Sequence, residues 1–449
     1  MDKTITQRFL DKYVETGPNR SRDLPCVKAL REEAAKLLSA KPLPKYKSEH
    51  YKRFNIDEAL SLMPDHIDPE FRPDLSRFTG KSCFFSFKSE AIQAFMSNGL
   101  VHDVSDPGDA ERGFFIGSLL DFAELYPEVL EAHLGQMPSV KSDPLAALST
   151  LFFDDALVIY LRRGTRLEHP IHLLHRSAVQ KEGRNVAFPR MLVIAEEDTE
   201  AKVLLCVHGY NPNIESVQNA LGEIYVGERA RLELYILEET LPKITRIHSI
   251  HTTQKRDSSL LINNLTIQNG KSRANFHCDL AEEGAELNLD GLAILDGDQV
   301  ADAWSFIRHS VPNCHSDELF KYTINDEARG AFSGMIYVAK DAQKTLAYQN
   351  NRNLLLSEKA RMYSKPQLEI YADDVKCSHG LTTGQLDENA LFYLQQRGIP
   401  RQEAMMMLTI AFMGDVIDKV QLPVLRERLY QLVEDRYRGK HSLCGDRNF

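Results

Sequence analysis

The chain has 449 residues, of which 43% are apolar and 26% charged, and a formal net charge of −10. This length allows two or three domains, and the composition is that of a soluble globular protein. The negative charge disfavours nucleic-acid binding, and no run approaches the roughly 18 apolar residues of a membrane span. Seven scattered cysteines favour a reducing, cytoplasmic compartment over a disulfide framework.

The first 153 residues are predicted to form a mostly helical N-terminal domain. Residues 27–38 repeat apolar side chains at helical spacing and use good helix formers, and Pro42 ends this helix. Two further short helices are predicted at 115–126 and 129–134.

The pattern changes in residues 154–385, where short runs of strand-forming residues alternate with turns. Examples are the apolar runs at 157–161, 191–194 and 232–237, each followed by turn-forming residues. Repeated strand–turn units without helices favour a parallel β-helix, although a β-sandwich is the commoner architecture and remains the alternative. The chain is therefore predicted to be mainly β, with helical domains on either side.

Helices are predicted to return in a C-terminal domain, residues 386–449. Asp387 is suited to cap the first helix, Gly398 to end it, and Pro400 to begin a second helix that runs to about residue 420. A third helix is predicted at 425–437.

Three successive methionines, residues 405–407, lie on the second of these helices. Their helical spacing predicts a core position for most of them. Adjacent side chains cannot all face one way, so one of them is expected to reach a partner.

Cys377 and His379 lie where the strand-rich region gives way to helices. Residues two apart on a strand face the same side of a sheet, so the pair is suited to share a soft metal ion, or the imidazole to hold a thiolate. One thiol and one imidazole do not complete a metal coordination sphere. Any metal would need further ligands from elsewhere in the chain or from a second subunit.

The other histidine and cysteine groupings are predicted to be structural or at the surface. Most combine neighbours on opposite faces of a strand, and Cys206 with His208 lies in an apolar run. These groupings are His169, His172 and His175; Cys206 and His208; His248 and His251; His277 and Cys278; and Cys314 and His315. The adjacent Asp373 and Asp374 do not form a carboxylate dyad, and no nucleotide-binding loop or nucleophile elbow is found.

Four segments resemble the SufB/SufD family of iron–sulfur cluster assembly proteins. They are residues 330–338, 349–356, 369–380 and 391–398, and the resemblance extends over essentially the whole chain. Arg352 stands where SufB-like chains carry a cysteine, and Gly380 stands where they carry a glutamate. The chain is therefore similar to the SufD branch, and an independent cluster scaffold is not expected.

The resemblance implies a right-handed parallel β-helix between two helical domains, in a non-enzymatic protein with SufB-like and SufC-like partners. His379, with Cys377 beside it, is the expected ligand of a transient iron–sulfur cluster at the SufB–SufD interface, and the isolated chain is expected to hold no cofactor. The hairpin 387–420 is the expected docking element for the SufC ATPase. Its predicted contact residues are Asp387, Phe392, Tyr393, Arg397 and Met406.

Two other classes of function compete with this interpretation. A polysaccharide-active β-helix enzyme requires a secretion signal and clustered ionisable residues on one strand face, and the sequence carries neither. A homo-oligomeric β-helix structural or interaction protein without a cluster role remains the alternative, and a homodimer is expected to be accessible to the chain alone.

Overall fold

The structure, a computed structural model, describes residues 3–16, 24–61, 63, 91–177, 184–209 and 215–439. The helices are α1 Ile5–Thr16, α2 Pro25–Ala40, α3 Ile56–Ser61, α4 Leu119–Leu125, α5 Pro127–His133, α6 Pro138–Ser142, α7 Pro144–Phe152, α8 Glu388–Gln396, α9 Arg401–Ile417 and α10 Pro423–Tyr437, with a short 3-10 helix at Glu49–Tyr51.

The strands are β1 Ile92–Ser97, β2 Leu100–Val104, β3 Gly108–Asp109, β4 Phe114–Ser118, β5 Leu157–Leu161, β6 Ile171–Arg176, β7 Arg184–Ala187, β8 Arg190–Ala195, β9 Glu200–His208, β10 Glu215–Val226, β11 Arg231–Glu239, β12 Ile244–Gln254, β13 Ser259–Gln268, β14 Lys271–Leu280, β15 Glu286–Leu295, β16 Val300–His309, β17 His315–Ile324, β18 Arg329–Val338, β19 Leu346–Leu355, β20 Arg361–Ile370 and β21 Lys376–Gly384.

Successive strands from β9 to β21 alternate between two sheets and pair in parallel with the strand two positions along the chain. Sheet A runs β2-β1-β6-β9-β11-β13-β15-β17-β19-β21, and sheet B runs β20-β18-β16-β14-β12-β10-β8-β5-β4-β3. This order describes a parallel solenoid of about seven turns. The predicted β-helix is therefore confirmed, and the sandwich alternative is wrong.

The solenoid core is built from side chains that stack from one coil to the next. Leu234 of β11 is in register with Ile262 of β13, which is in register with Leu289 of β15, and all three are buried. Because side chains alternate between the faces of a strand, every second residue enters this core. The tight turns between coils use Asp257, with φ of 53°, and Asn313, with φ of 61°, since short polar residues tolerate the left-handed region.

Helices cover the outer faces of the two sheets. Helices α2, α4 and α7 bury their apolar side chains on the outer face of sheet B, against residues such as Leu192 and Ile247. Helices α9 and α10 cover the outer face of sheet A, where Met413 and Leu429 pack in one cluster with Tyr235 and Leu265. The predicted C-terminal helices are confirmed to within a few residues.

The region predicted to be mostly helical also contains β1 to β4. Residues 115–126, predicted as one helix, form β4 followed by α4, and the Ser118 side chain accepts a hydrogen bond from Asp121 N at 3.2 Å. This cap starts the helix four residues later than the apolar pattern suggests. Strand β1 pairs in parallel with β6, and β4 pairs with β5, so these strands extend both sheets of the solenoid.

Every helix in the described ranges is too short or too polar to cross a membrane. The cysteines in these ranges, Cys26, Cys206, Cys278, Cys314 and Cys377, carry free thiols. Cys83 and Cys444 lie outside the described residues.

A buried ion pair of sheet B is hydrogen-bonded to the N-terminal helical layer. Arg190 Nη2 lies 2.6 Å from Glu223 Oε1, and both side chains are completely buried. The second oxygen of Glu223 accepts a hydrogen bond from Gly135 N at 2.7 Å, and Arg190 Nη1 donates to Thr150 Oγ1 at 3.0 Å. These bonds satisfy both charges and fix the helices on the sheet.

Replacing Arg190 with methionine is expected to lower the free energy of unfolding by about 3–5 kcal/mol, because it leaves the Glu223 charge buried without its partner. The double variant R190M/E223Q is expected to be less destabilised than R190M, since the glutamine keeps an oxygen for Gly135 N and carries no charge. Urea unfolding of the three proteins measures the difference.

The matched control is Lys359→Met, which breaks an exposed pair of the same length, 2.6 Å, with Glu327. Solvent screens that pair, so its loss is expected to change stability little. Equal effects of R190M and K359M would contradict the role assigned to the buried pair.

Candidate functional site

Cys377 and His379 lie on β21, the last strand of sheet A. They are in register with Ala347 and Gln349 of β19, two fully buried residues whose side chains face the solenoid interior. Residues in register on neighbouring strands share a face, so Cys377 and His379 both point to the interior side of the last coil. His379 is nevertheless exposed, because no described coil follows β21, and Cys377 is half-buried against the core.

The thiol of Cys377 is not an activated nucleophile. Partial burial raises its pKa above the usual value for a cysteine, and a backbone hydrogen bond involving Ala347 opposes this only in part. A raised pKa keeps the thiol neutral at physiological pH. Of the two chemistries that the sequence suggested for the pair, a thiolate held by histidine is therefore disfavoured.

His379 ends a column of interior side chains that changes character along the solenoid. The column comprises Leu234, Ile262, Leu289, Glu318, Gln349 and His379, each in register with the next. Gln349 Nε2 donates to Glu318 Oε2 at 2.6 Å, and both residues are completely buried. This column is apolar in the middle of the solenoid and polar in the last three coils before the open end.

Burial raises the pKa of Glu318 to about 7, although its hydrogen bond from Gln349 acts in the opposite direction. A carboxyl group with this pKa changes charge within the physiological range. The sequence analysis missed Glu318 and Gln349, because neither has a chemical partner nearby in the sequence. The signal that would have found them is their common register in successive coils.

Asparagine side chains of β19 form hydrogen bonds that hold β21 in place. Asn353 Nδ2 donates to Thr382 O at 3.1 Å and to Thr383 Oγ1 at 3.2 Å. Asn351 and Asn353 also bind each other through their amides, at 3.2 and 2.8 Å. These bonds keep β21 in place although its outer edge has no described neighbour.

The C-terminal end of the solenoid is an open edge. Strands β20 and β21 are the last in their sheets, and most of their residues are at least partly exposed, unlike those of the preceding strands. Three apolar side chains at this end are exposed: Ile370 by 39%, Tyr371 by 58% and Leu381 by 46%. Unpaired strand edges with apolar neighbours are typical of a surface that binds another chain.

Helix α8 presents the aromatic residues that the sequence predicted for partner contact. Phe392 and Tyr393 are 62% and 58% exposed, whereas Leu391 is buried. Arg397 Nη2 donates to Tyr393 Oη at 3.0 Å, and its guanidinium lies 5.2 Å from the centre of that ring. Asp387 caps the helix, since its carboxylate accepts from Asn389 N at 2.9 Å.

Met406 is not at the surface. It is 8% exposed, because the helical repeat places it among the buried residues of α9, and the exposed methionine of the run is Met407, at 43%. The prediction that one methionine faces outward therefore fits Met407, whereas Met406, the predicted contact residue, is buried in the isolated chain.

Ionic contacts hold α9 and the chain after it against sheet A. Lys321 of β17 donates to Phe412 O at 2.6 Å and contacts the Asp415 carboxylate. Lys419 Nζ lies 2.8 Å from Asp290 Oδ1 on β15. The helical domain is thereby joined to the same coils that carry Leu289 and Glu318.

The fold and its open end define the chain as a parallel β-solenoid protein with helical domains on both outer faces. A profile described as "SUF system FeS cluster assembly, SufBD core domain" matches residues 177–412, and one described as "SufBD protein N-terminal region" matches residues 3–173. The chain belongs to the SufBD family of iron–sulfur cluster assembly proteins. Its role thus lies in cluster assembly, within a system of several Suf subunits.

Three relatives are named as iron–sulfur cluster assembly proteins. An iron–sulfur cluster assembly SufBD family protein of Synechocystis is 29% identical over 413 residues, which are 90% of each chain. The iron–sulfur cluster assembly protein SufD of Escherichia coli is 31% identical over 282 residues, 63% of this chain and 66% of that one. The protein of the same name from Bacillus subtilis is 23% identical over 328 residues, 72% of this chain and 74% of that one.

Replacing Glu318 with glutamine is expected to remove a pH-dependent loss of stability. The folded state holds the Glu318 proton up to about pH 7, whereas the unfolded chain releases it near the usual value of 4.5. Folding therefore becomes less favourable as pH rises through that window, and wild type should lose roughly 2 to 3 kcal/mol relative to E318Q between pH 5 and pH 8.

Urea unfolding at the two pH values measures this difference. The comparison of wild type with E318Q at pH 5 is the internal control, since a protonated glutamic acid and a glutamine make similar hydrogen bonds. A constant stability difference between the two proteins across this range would show that Glu318 is ionised in the folded state.

Proposed function

We propose that this chain is a non-catalytic, SufD-type subunit whose open solenoid end pairs with the end of a SufB-type subunit. The supporting observation is the pair of free strand edges, β20 and β21, next to exposed apolar side chains. A second solenoid placed end to end would satisfy these backbone groups and cover Ile370, Tyr371 and Leu381.

His379 then contributes one ligand to an iron–sulfur cluster that is assembled as cargo between the two subunits. It is the exposed imidazole of the last coil, and it faces the end at which the partner would sit. The remaining ligands come from the partner, because Arg352 and Gly380 occupy the positions at which SufB-like chains carry cysteine and glutamate. Imidazole donates less electron density to iron than thiolate, which would ease release of the cluster.

Helix α8 with the start of α9 binds the ATPase subunit in this proposal. Exposed Phe392, Tyr393 and Arg397 belong to the residue types that dominate protein interfaces. The bonds of Lys321 and Lys419 would transmit a movement of this domain to the coils next to the open end. The free energy for that movement is the difference in affinity of the ATPase for two states of the complex.

A homodimer of this chain is the second candidate, because the same free edges are able to pair with a second copy. Light scattering after gel filtration measures the mass of the particle and so distinguishes a homodimer from a complex with the SufB-type subunit. A preference for the SufB-type subunit over self-association supports the proposal, and an unchanged homodimer in the presence of that subunit contradicts it.

Replacing His379 with alanine is expected to remove most of the cluster from the reconstituted complex while leaving the complex assembled, because one ligand is lost and the strand edge is kept. Iron and acid-labile sulfide per complex are measured after anaerobic reconstitution. His169→Ala, which removes an exposed histidine just before β6, is the control and should retain the cluster. Normal cluster content in H379A would contradict the ligand role.

The double variant F392A/Y393A is expected to bind the ATPase subunit about 30-fold more weakly, a loss of about 2 kcal/mol, because it removes two aromatic anchors without touching the buried Leu391. Leu120→Ala, which truncates a 42% exposed side chain on α4, is the matched control. Calorimetric titration with the ATPase subunit measures both, and equal affinities for the two variants would place the docking surface elsewhere.

A further inference from the structure

Three potential metal ligands meet where the N-terminal helices contact sheet B. They are Asp143 before α7, His251 on β12 and His277 on β14, and one ligand atom from each lies within 4.8 Å of the other two. His251 Nε2 is 3.5 Å from Asp143 Oδ2, and His277 Nε2 is 3.8 Å from the same oxygen. Within the described ranges, no other group of three such side chains comes this close.

The fold builds this cluster from two independent parts. His251 and His277 are in register on adjacent parallel strands, and their rings stack 4.3 Å apart with an angle of 5° between the planes. Asp143 is the N-cap of α7, and its Oδ1 accepts from Leu145 N at 2.8 Å. Its Oδ2 is the atom that faces both imidazoles.

One nitrogen in the cluster is buried without a hydrogen-bond partner. The His251 side chain is completely buried, its Nδ1 lies 2.9 Å from Ser139 Oγ, and its Nε2 makes no hydrogen bond. The 3.5 Å to Asp143 is too long for a normal N–H···O bond. A buried polar nitrogen without a partner is costly, and its lone pair is available to a cation when Nδ1 donates to Ser139.

We propose that Asp143, His251 and His277 bind one divalent transition-metal ion, Zn²⁺ or Fe²⁺. Two imidazoles and one carboxylate with an open fourth position form a donor set that either ion accepts. Ligands about 2.05 Å from a tetrahedral ion lie roughly 3.3 Å apart. The three ligand atoms, which lie within 4.8 Å of one another, would therefore move closer on binding, and the stacked imidazole rings would tilt toward the ion.

A cavity borders the cluster at His277. His277 lines a cavity of about 360 Å³ together with Ser139 and Asp279. Water from this cavity can complete the coordination sphere. Since Asp143 caps α7 while both histidines belong to the solenoid, the ion would fasten the helical layer to sheet B at a place separate from the open end.

The test uses the full chain with Cys377→Ser and His379→Ala, so that the open end contributes no ligands. Anaerobic calorimetric titration with Zn²⁺ and, separately, with Fe²⁺ is expected to show one ion per chain. His277→Gln and D143N should each weaken binding at least about 100-fold. D143N keeps the oxygen that caps α7, and His169→Ala, which removes an exposed histidine outside the cluster, should bind as the parent does.

Two further readouts separate metal loss from misfolding. Ions bound only by the folded state raise the midpoint of thermal unfolding, so Zn²⁺ should raise it in the parent and not in H277Q. X-ray absorption of the loaded parent should show nitrogen or oxygen ligands near about 2.0–2.1 Å for Zn²⁺. Undiminished binding in both H277Q and D143N, or no binding by the folded parent, would overturn the proposal, and neither result bears on the role of His379.

Discussion

The structure depends on how the backbone hydrogen bonds of a parallel stack are satisfied. Within the described ranges, each strand from β6 to β19 except the short β7 has a neighbour on both sides, so apart from β7 the free edges lie at the two ends of the solenoid. At the first end the sheets finish in antiparallel pairs, β1 with β2 and β3 with β4. At the second end β20 and β21 finish the sheets in parallel register, and no described strand covers them.

The interior changes in step with this asymmetry. One column of side chains begins with Leu234 and ends with Glu318, Gln349 and His379. Burying a carboxyl group costs free energy, which explains why Glu318 has a raised pKa and needs the amide of Gln349. Neighbouring interior positions of these coils, such as Phe332 and Ala347, stay apolar. The polar side chains of this column are therefore a local feature of the three coils next to the open end.

The fold class could be predicted from the sequence because local sequence patterns indicate it. Turn residues and strand-forming runs indicated the solenoid, and capping residues such as Asp387 indicated the C-terminal helices. The spacing of Cys377 and His379 was enough to place them on one face, since strand alternation is a local property. The resemblance to the SufB/SufD family added the partners, which no local pattern specifies.

All of the contacts that the sequence did not reveal join different coils. His251 and His277 were each judged structural, because the histidine or cysteine nearest to each along the chain lies on the opposite face of its strand. They stack only because β12 and β14 pair in a particular register, and coil lengths vary too much for that register to be read from the chain. The burial of Met406 was missed for a related reason. Helical spacing identifies a face, but tertiary packing decides which face is covered.

Hydrogen–deuterium exchange at the open end tests the central claim most directly. The backbone amides of β20 and β21 are compared in the isolated chain and after addition of the SufB-type subunit, with α4 as an internal reference. If the partner's solenoid completes these edges, exchange in β20 and β21 should slow at least about tenfold while α4 is unchanged. Unchanged exchange in both strands within a formed complex would contradict the end-to-end pairing and the position it gives His379.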